Sequence, residues 1–119
     1  MIQRFVGFFY EICISKFQAF GLGGKMKVDT VVGLAYGDEG KGKVTHYLLR
    51  TGRYDYCVRY NGGCNAGHTI FHNGKKFVTH HIPAGVFFGV KSIIGNGCVV
   101  SVRQFYDEIH HLERFGIKT

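Results

Sequence analysis

A single proline, Pro83, stands among 119 residues, and acidic side chains number only 8 against 15 Lys and Arg. No apolar run reaches the ~18 residues that a membrane-crossing helix needs. There is no collagen-like period and no internal repeat, so a fibrous or solenoid architecture is excluded. No run of five or more basic residues occurs, so the formal net charge of +7 is scattered rather than gathered into a nucleic-acid footprint. That scatter suits small phosphate-bearing ligands better than nucleic acid or a membrane surface. Cys13, Cys57, Cys64 and Cys98 include no C-x-x-C pair, which removes a zinc ribbon or a thioredoxin-like motif. What the chain does have is 45% apolar residues and 18 glycines, the balance of one small globular domain with many tight turns or close backbone approaches.

Three of the four cysteines lie in or beside apolar, strand-like segments, where a thiol behaves as a small hydrophobe. They read as reduced, and the protein as intracellular. The doublets His80-His81 and His110-His111 do not form ligand pairs by themselves, because neighbours point to different faces of a helix or strand. They read as solvated or packed histidines.

Residues 1–25 differ from the rest and read as an N-terminal extension. Met1 to Phe20 is rich in Phe and Ile but interrupted by Arg4, Glu11 and Lys16, and a short amphipathic helix is expected there. The charges argue against a secretory signal. Gly21 to Gly24 reads as a linker, and Met26, directly before a strong strand, reads as the natural start. Val28 to Ala35 is a β-branched run of the kind found in buried parallel strands. A helix is expected over Lys43 to Arg50, a strand over Tyr56 to Tyr60, and a hairpin about Asn73-Gly74, the strongest two-residue turn signal. Short strands are expected at Ser92 to Ile94 and Cys98 to Val100, broken by Gly95-Asn96-Gly97. Ser101 with Gln104 forms a capping-box pattern opening a helix to about Phe115. That helix has Phe105, Ile109 and Leu112 on one face, and Gly116 ends it. Strand, glycine turn, helix, strand opens an α/β fold with a mainly parallel sheet and a phosphate loop between first strand and first helix.

Two loops carry the chemistry. The first, Gly37-Asp38-Glu39-Gly40-Lys41-Gly42-Lys43, follows a strand and opens a helix, the setting in which backbone N–H groups and the helix dipole hold phosphate. Its spacing fits G-x-x-x-x-G-K, but Val44 follows where a Walker loop places a Mg²⁺-binding hydroxyl. Asp38 is open to three readings: a helix N-cap, a metal ligand beside phosphates, or a general base. The second loop, Asn61-Gly62-Gly63-Cys64-Asn65-Ala66-Gly67-His68-Thr69, offers amide, backbone and hydroxyl contacts, with His68 able to move a proton. Cys64 and His68 are four apart, but no further ligand pair accompanies them.

Taken together, residues 37–43 and Asn65 to Thr69 resemble the adenylosuccinate synthetases. Ile82-Pro83-Ala84-Gly85, Ser92 to Gly97, the Asn73-Gly74 hairpin and the strand 28–35 extend the resemblance in register over nearly all of 26–119. The family condenses IMP with L-aspartate using GTP and Mg²⁺: the 6-oxygen of IMP is phosphorylated, and aspartate then displaces the phosphate. The resemblance implies that Asp38 is the base for the IMP N1 proton and a Mg²⁺ ligand, and that His68 is the acid assisting phosphoryl transfer. It makes the Gly67 carbonyl the second protein ligand of Mg²⁺. It assigns Gly37, Asp38, Glu39, Gly40, Lys41, Gly42, Lys43, Gly67, His68 and Thr69 to GTP. IMP falls to Asp38, Glu39, Gly40, Lys41, Asn65, Ala66, Gly67 and His68. It further implies a cytoplasmic homodimer that engages neither nucleic acid nor membrane.

Departures are local. Ala35-Tyr36 replaces a usual Gln-Trp, Thr45 or His46 stands where the family often has Asp, and Cys64 replaces a common His or Asn. A phage branch making a 2-amino purine analogue lacks the base carboxylate; Asp38 is present here and favours IMP. Family members are several times longer, so residues 26–119 read as the N-terminal, incomplete part of such an enzyme, expected to be inactive and poorly folded alone. A generic phosphate-loop NTPase or a non-catalytic nucleotide-binding fragment is the alternative, and Asn65 to Thr69 is the feature such a module has no reason to carry.

Overall fold

The computed structural model describes residues 8–15, 27–33, 40–51, 54–65 and 67–119. Strands β1 (Phe8–Ser15), β2 (Lys27–Gly33), β3 (Tyr56–Gly62) and β6 (Lys91–Cys98) form a four-stranded sheet in the order β2-β1-β3-β6. β4 (His68–His72) and β5 (Lys75–Thr79) form a separate antiparallel hairpin. Helix α1 (Lys41–Arg50) joins β2 to β3, a 3₁₀ turn spans Ala84–Phe88, and α2 (Val102–Glu113) follows β6. β1 runs antiparallel to both β2 and β3, while β3 and β6 are parallel. β2, β3 and β6 therefore share one direction, but the α/β sheet is mixed: only β3 and β6 pair in parallel, and β2, expected as a buried parallel strand, pairs antiparallel with β1 and leaves Val28 and Val32 exposed.

Segment 8–15 corrects one expectation: it is a strand, not an amphipathic helix. Its backbone finds ladder partners on both sides, Ile12 opposite Thr30 on β2 and Val58 on β3. Such pairing satisfies every second backbone group from each neighbour, and no local pattern reports it.

The core lies where α1, the hairpin, the 3₁₀ turn and α2 meet beside β3. Leu49, Tyr54, Cys57, Ile70, Phe77, Ile82, Ala84, Phe87 and Leu112 are all buried there. Phe105 and Ile109 pack against the cluster from α2, so the helical spacing of apolar residues seen in the sequence is the buried stripe. The hairpin turns on Asn73 (φ 49°) and Gly74 (φ 74°), the left-handed pair that a two-residue turn requires. Tyr54, two residues before β3, donates its hydroxyl to the Asp29 carboxylate on β2.

Two further expectations change. Gly95 and Gly97 do not break β6; they let it approach β3. A Cβ on Gly97 would sit 2.4 Å from the Tyr60 carbonyl oxygen, and one on Gly95 would sit 3.1 Å from that of Arg59. Ser101 is the N-cap of α2, but its side chain makes no capping hydrogen bond. Its N–H donates to His81 Nε2 at 3.1 Å instead, and α2 ends at Glu113.

Gly97→Ala is expected to destabilise the chain by about 3 kcal/mol, because backbone cannot yield as a side-chain tip can. Asn96→Ala, at an exposed neighbouring position, serves as the control and should change little. Urea unfolding of both variants checks this; equal midpoints would show that the close approach carries no energy.

Candidate functional site

Helix α1 opens at Gly40. Gly40 is the N-cap, at φ 73°, and its carbonyl accepts from the N–H groups of Lys43 and Val44 at 2.9 and 3.1 Å. No acidic residue stands in the first turn of the helix, while Lys41 and Lys43 do. Gly37, Asp38 and Glu39 of the first motif and Ala66 of the second lie outside the described residues.

The fold brings the two glycine motifs together. A Cβ placed on Gly42 would lie 3.8 Å from the Thr69 carbonyl oxygen and 3.9 Å from the His68 Cβ. The start of α1 therefore rests against the start of β4, with Gly42 as the contact. Gly67 and His68 form the corner at that point, and His68 and Thr69 are held in register by Thr79 and Val78 across the hairpin. Asn65 is exposed on the preceding turn, with its Oδ1 near Gly63. Lys43 is exposed and Lys41 half-buried.

Burial pushes the His68 imidazole down from 6.5 to about 3, with the nearby His80 adding to the effect. His68 is therefore neutral at pH 7. It can donate one N–H hydrogen bond but holds no spare proton until negative charge arrives beside it.

Two residues that sequence reasoning left unassigned organise this corner. Arg59 on β3 is 3% exposed. Its Nη1 donates to the His80 carbonyl and its Nη2 to the Gly63 carbonyl at 2.8 Å. Glu108 on α2 accepts from the N–H groups of His80, His81 and Ile82 at 2.8, 3.1 and 3.2 Å. Signals existed in the sequence. An arginine sits within the otherwise apolar strand 56–60, and a carboxylate sits one turn before Leu112 on the buried stripe of α2.

The histidine gives a pH prediction. Between about pH 6.5 and pH 3 the unfolded chain binds a proton at His68 that the folded chain does not. Stability should fall as pH drops through this window and rise as pH returns to 7. His68→Gln removes that slope. The difference in unfolding midpoint between wild type and variant, measured at pH 7 and pH 5, should shift against the wild type at pH 5.

The adenylosuccinate synthetase family model matches residues 30–119. The adenylosuccinate synthetase of Phocaeicola vulgatus is 51% identical over 92 residues, 76% of this chain and 21% of the relative. That of Acidothermus cellulolyticus is 47% identical over 95 residues, 79% of this chain and 22% of the relative. The solved structure of a fully ligated adenylosuccinate synthetase from Plasmodium falciparum superposes with a TM-score of 0.60 at 43% identity, covering 67% of this chain and 19% of that one. The chain thus spans about a fifth of the length of these relatives. Two spaced glycine motifs in contact, a matching fold and a family match over most of the sequence lead to one conclusion: the chain belongs to the adenylosuccinate synthetase family.

Proposed function

We propose that this chain supplies the phosphate- and IMP-facing portion of a GTP-dependent ligase that joins L-aspartate to IMP, giving adenylosuccinate, GDP and phosphate. The observation that carries the reading is the contact of Gly42 with His68 and Thr69. That proximity of a glycine- and lysine-bearing helix start to an imidazole supports a phosphoryl-transfer site.

In this reading Asp38 removes the N1 proton of IMP, so that O6 carries negative charge and attacks the γ-phosphorus of GTP. The bond to the β-phosphate oxygen breaks and GDP leaves. The amine of aspartate then attacks C6, and the C6–O bond breaks to release phosphate. Gly37 to Lys43, with Gly67, His68 and Thr69, line the GTP phosphates; backbone N–H groups and the two lysines offset the charge that builds in transfer. Asp38 to Lys41 and Asn65 to His68 surround IMP. His68, neutral in the free chain, donates its N–H to a phosphoryl oxygen, and the polyanion raises its proton affinity as transfer proceeds.

The donor set fits Mg²⁺. Among the described residues no group of three or more His, Cys, Asp or Glu could hold a metal. A hard cation taking one carboxylate and one carbonyl from protein and completing its shell with phosphate oxygens needs no such group. Asp38 and the Gly67 carbonyl would hold it. When bound it neutralises phosphate charge and helps align the triphosphate.

The whole enzyme is read as a cytoplasmic homodimer. Cys64 and Cys98 are free thiols, which supports a reducing compartment. Among the described residues no helix is long and apolar enough to cross a membrane.

Asp38→Ala and His68→Ala, placed in an enzyme that contains this portion in full, are each expected to lower turnover by about 10²–10⁴-fold with the fold intact. Adenylosuccinate formation from IMP, GTP and aspartate measures this, and near-normal rates in both would overturn the assignment. The 119-residue chain alone is expected to form no adenylosuccinate.

A further inference from the structure

The His80–Glu108 contact lies one step behind the corner that carries His68. Glu108 is 11% exposed, and its Oε1 lies 3.1 Å from His81 Nδ1 and 3.5 Å from His80 Nδ1. The two rings stand in different situations. His81 is 2% exposed, and its Nε2 accepts the Ser101 N–H. Because a backbone N–H can only donate, His81 must carry its proton on Nδ1 and give it to Glu108. That ring is a structural strut between the 80–82 bend and the start of α2.

His80 is 41% exposed, so burial does not explain its position. Its backbone is held from both sides, the N–H by Glu108 and the carbonyl by Arg59. Its Nδ1 edge faces Glu108 and its far edge covers Gly67. A Cβ on Gly67 would meet His80 Nε2 at 3.0 Å and Cδ2 at 3.5 Å. In hairpin register, His80 follows Thr79, the partner of His68, which puts it directly across from Gly67. The carboxylate on α2 therefore reaches the site through one imidazole ring.

We propose that Glu108 and His80 form a positioning pair for the Gly67–His68 corner. The Glu108 carboxylate, 3.5 Å from His80 Nδ1, attracts that edge of the ring and fixes its plane. The fixed ring backs Gly67 and sets the peptide from which His68 projects. The proposal rests on the reading of His68 as a phosphate-facing group, and it gives α2, which carries none of the assigned ligand residues, a role in aligning the site. His80 is a positioning residue: it acts through Gly67 and His68 and touches no substrate.

The test uses the full 119-residue chain with ¹⁵N-labelled histidine rings, the His68 signals being assigned from His68→Gln. His80→Ala removes both edges of the ring. His80→Phe keeps a ring over Gly67 but offers Glu108 no ring nitrogen. If Glu108 orients the ring, both variants shift the His68 ring signals away from the wild-type positions. Both also weaken Mg²⁺–tripolyphosphate binding by about tenfold, with the urea midpoint unchanged. Unmoved His68 signals in His80→Ala, or wild-type signals restored by His80→Phe, would overturn the pair, the second result meaning that bulk alone matters. The ring signals are read without any phosphate, so the two ideas separate. A wild type that fails to bind Mg²⁺–tripolyphosphate while His68 still responds to His80 sinks the phosphate reading and keeps the pair. A wild type that binds while His68 ignores His80 sinks the pair alone.

Discussion

Among the described residues the two sheets share no backbone ladder; side-chain hydrogen bonds from Arg59 on β3 and Glu108 on α2 help hold the hairpin's end in place. Arg59 projects from the central sheet and donates to the carbonyls of His80 and Gly63. It thereby fastens the end of the hairpin and the second glycine loop to β3. From the other side, Glu108 gathers three consecutive N–H groups of the 80–82 bend. A buried charge with its hydrogen bonds made is tolerable, whereas one stripped of partners costs several kcal/mol. The bend is consequently fixed between a cation that takes its carbonyl and an anion that takes its amides. Charge-assisted hydrogen bonds of this kind are about twice as strong as neutral ones.

Everything at the site inherits its position from that clamp. The bend fixes the end of β5, β5 fixes β4 by register, and β4 begins at His68. α1 then rests on β4 through Gly42, where no side chain intervenes. The result is an imidazole buried enough to be neutral, set beside a helix start carrying lysines and no acid.

Much of the fold was legible because it is local. Asn73-Gly74 dictates a turn through its own backbone preferences, and Phe105, Ile109 and Leu112 declare the buried face of α2 by spacing alone. The failures share one cause. Phe8 to Ser15 reads ambiguously in period, and its strand state comes from β2 and β3, which lie 12 or more residues away in sequence. Gly95 and Gly97 look like breaks because glycine usually punctuates, yet here they serve a contact with Tyr60 and Arg59 that only a neighbouring strand creates. Ser101 has the pattern of a side-chain cap, but its own N–H is committed to His81, twenty residues earlier.

The sequence by itself determined the family, the two glycine motifs and most of the secondary elements that flank them, since backbone preference and the chemistry of glycine, lysine and histidine act over a few residues. Tertiary structure alone decided that the motifs touch through Gly42, that His68 is neutral, and that Arg59, His80 and Glu108 hold the corner. Those facts depend on burial and on hydrogen-bond partners between 4 and 28 residues apart, and no local pattern encodes which distant group will arrive.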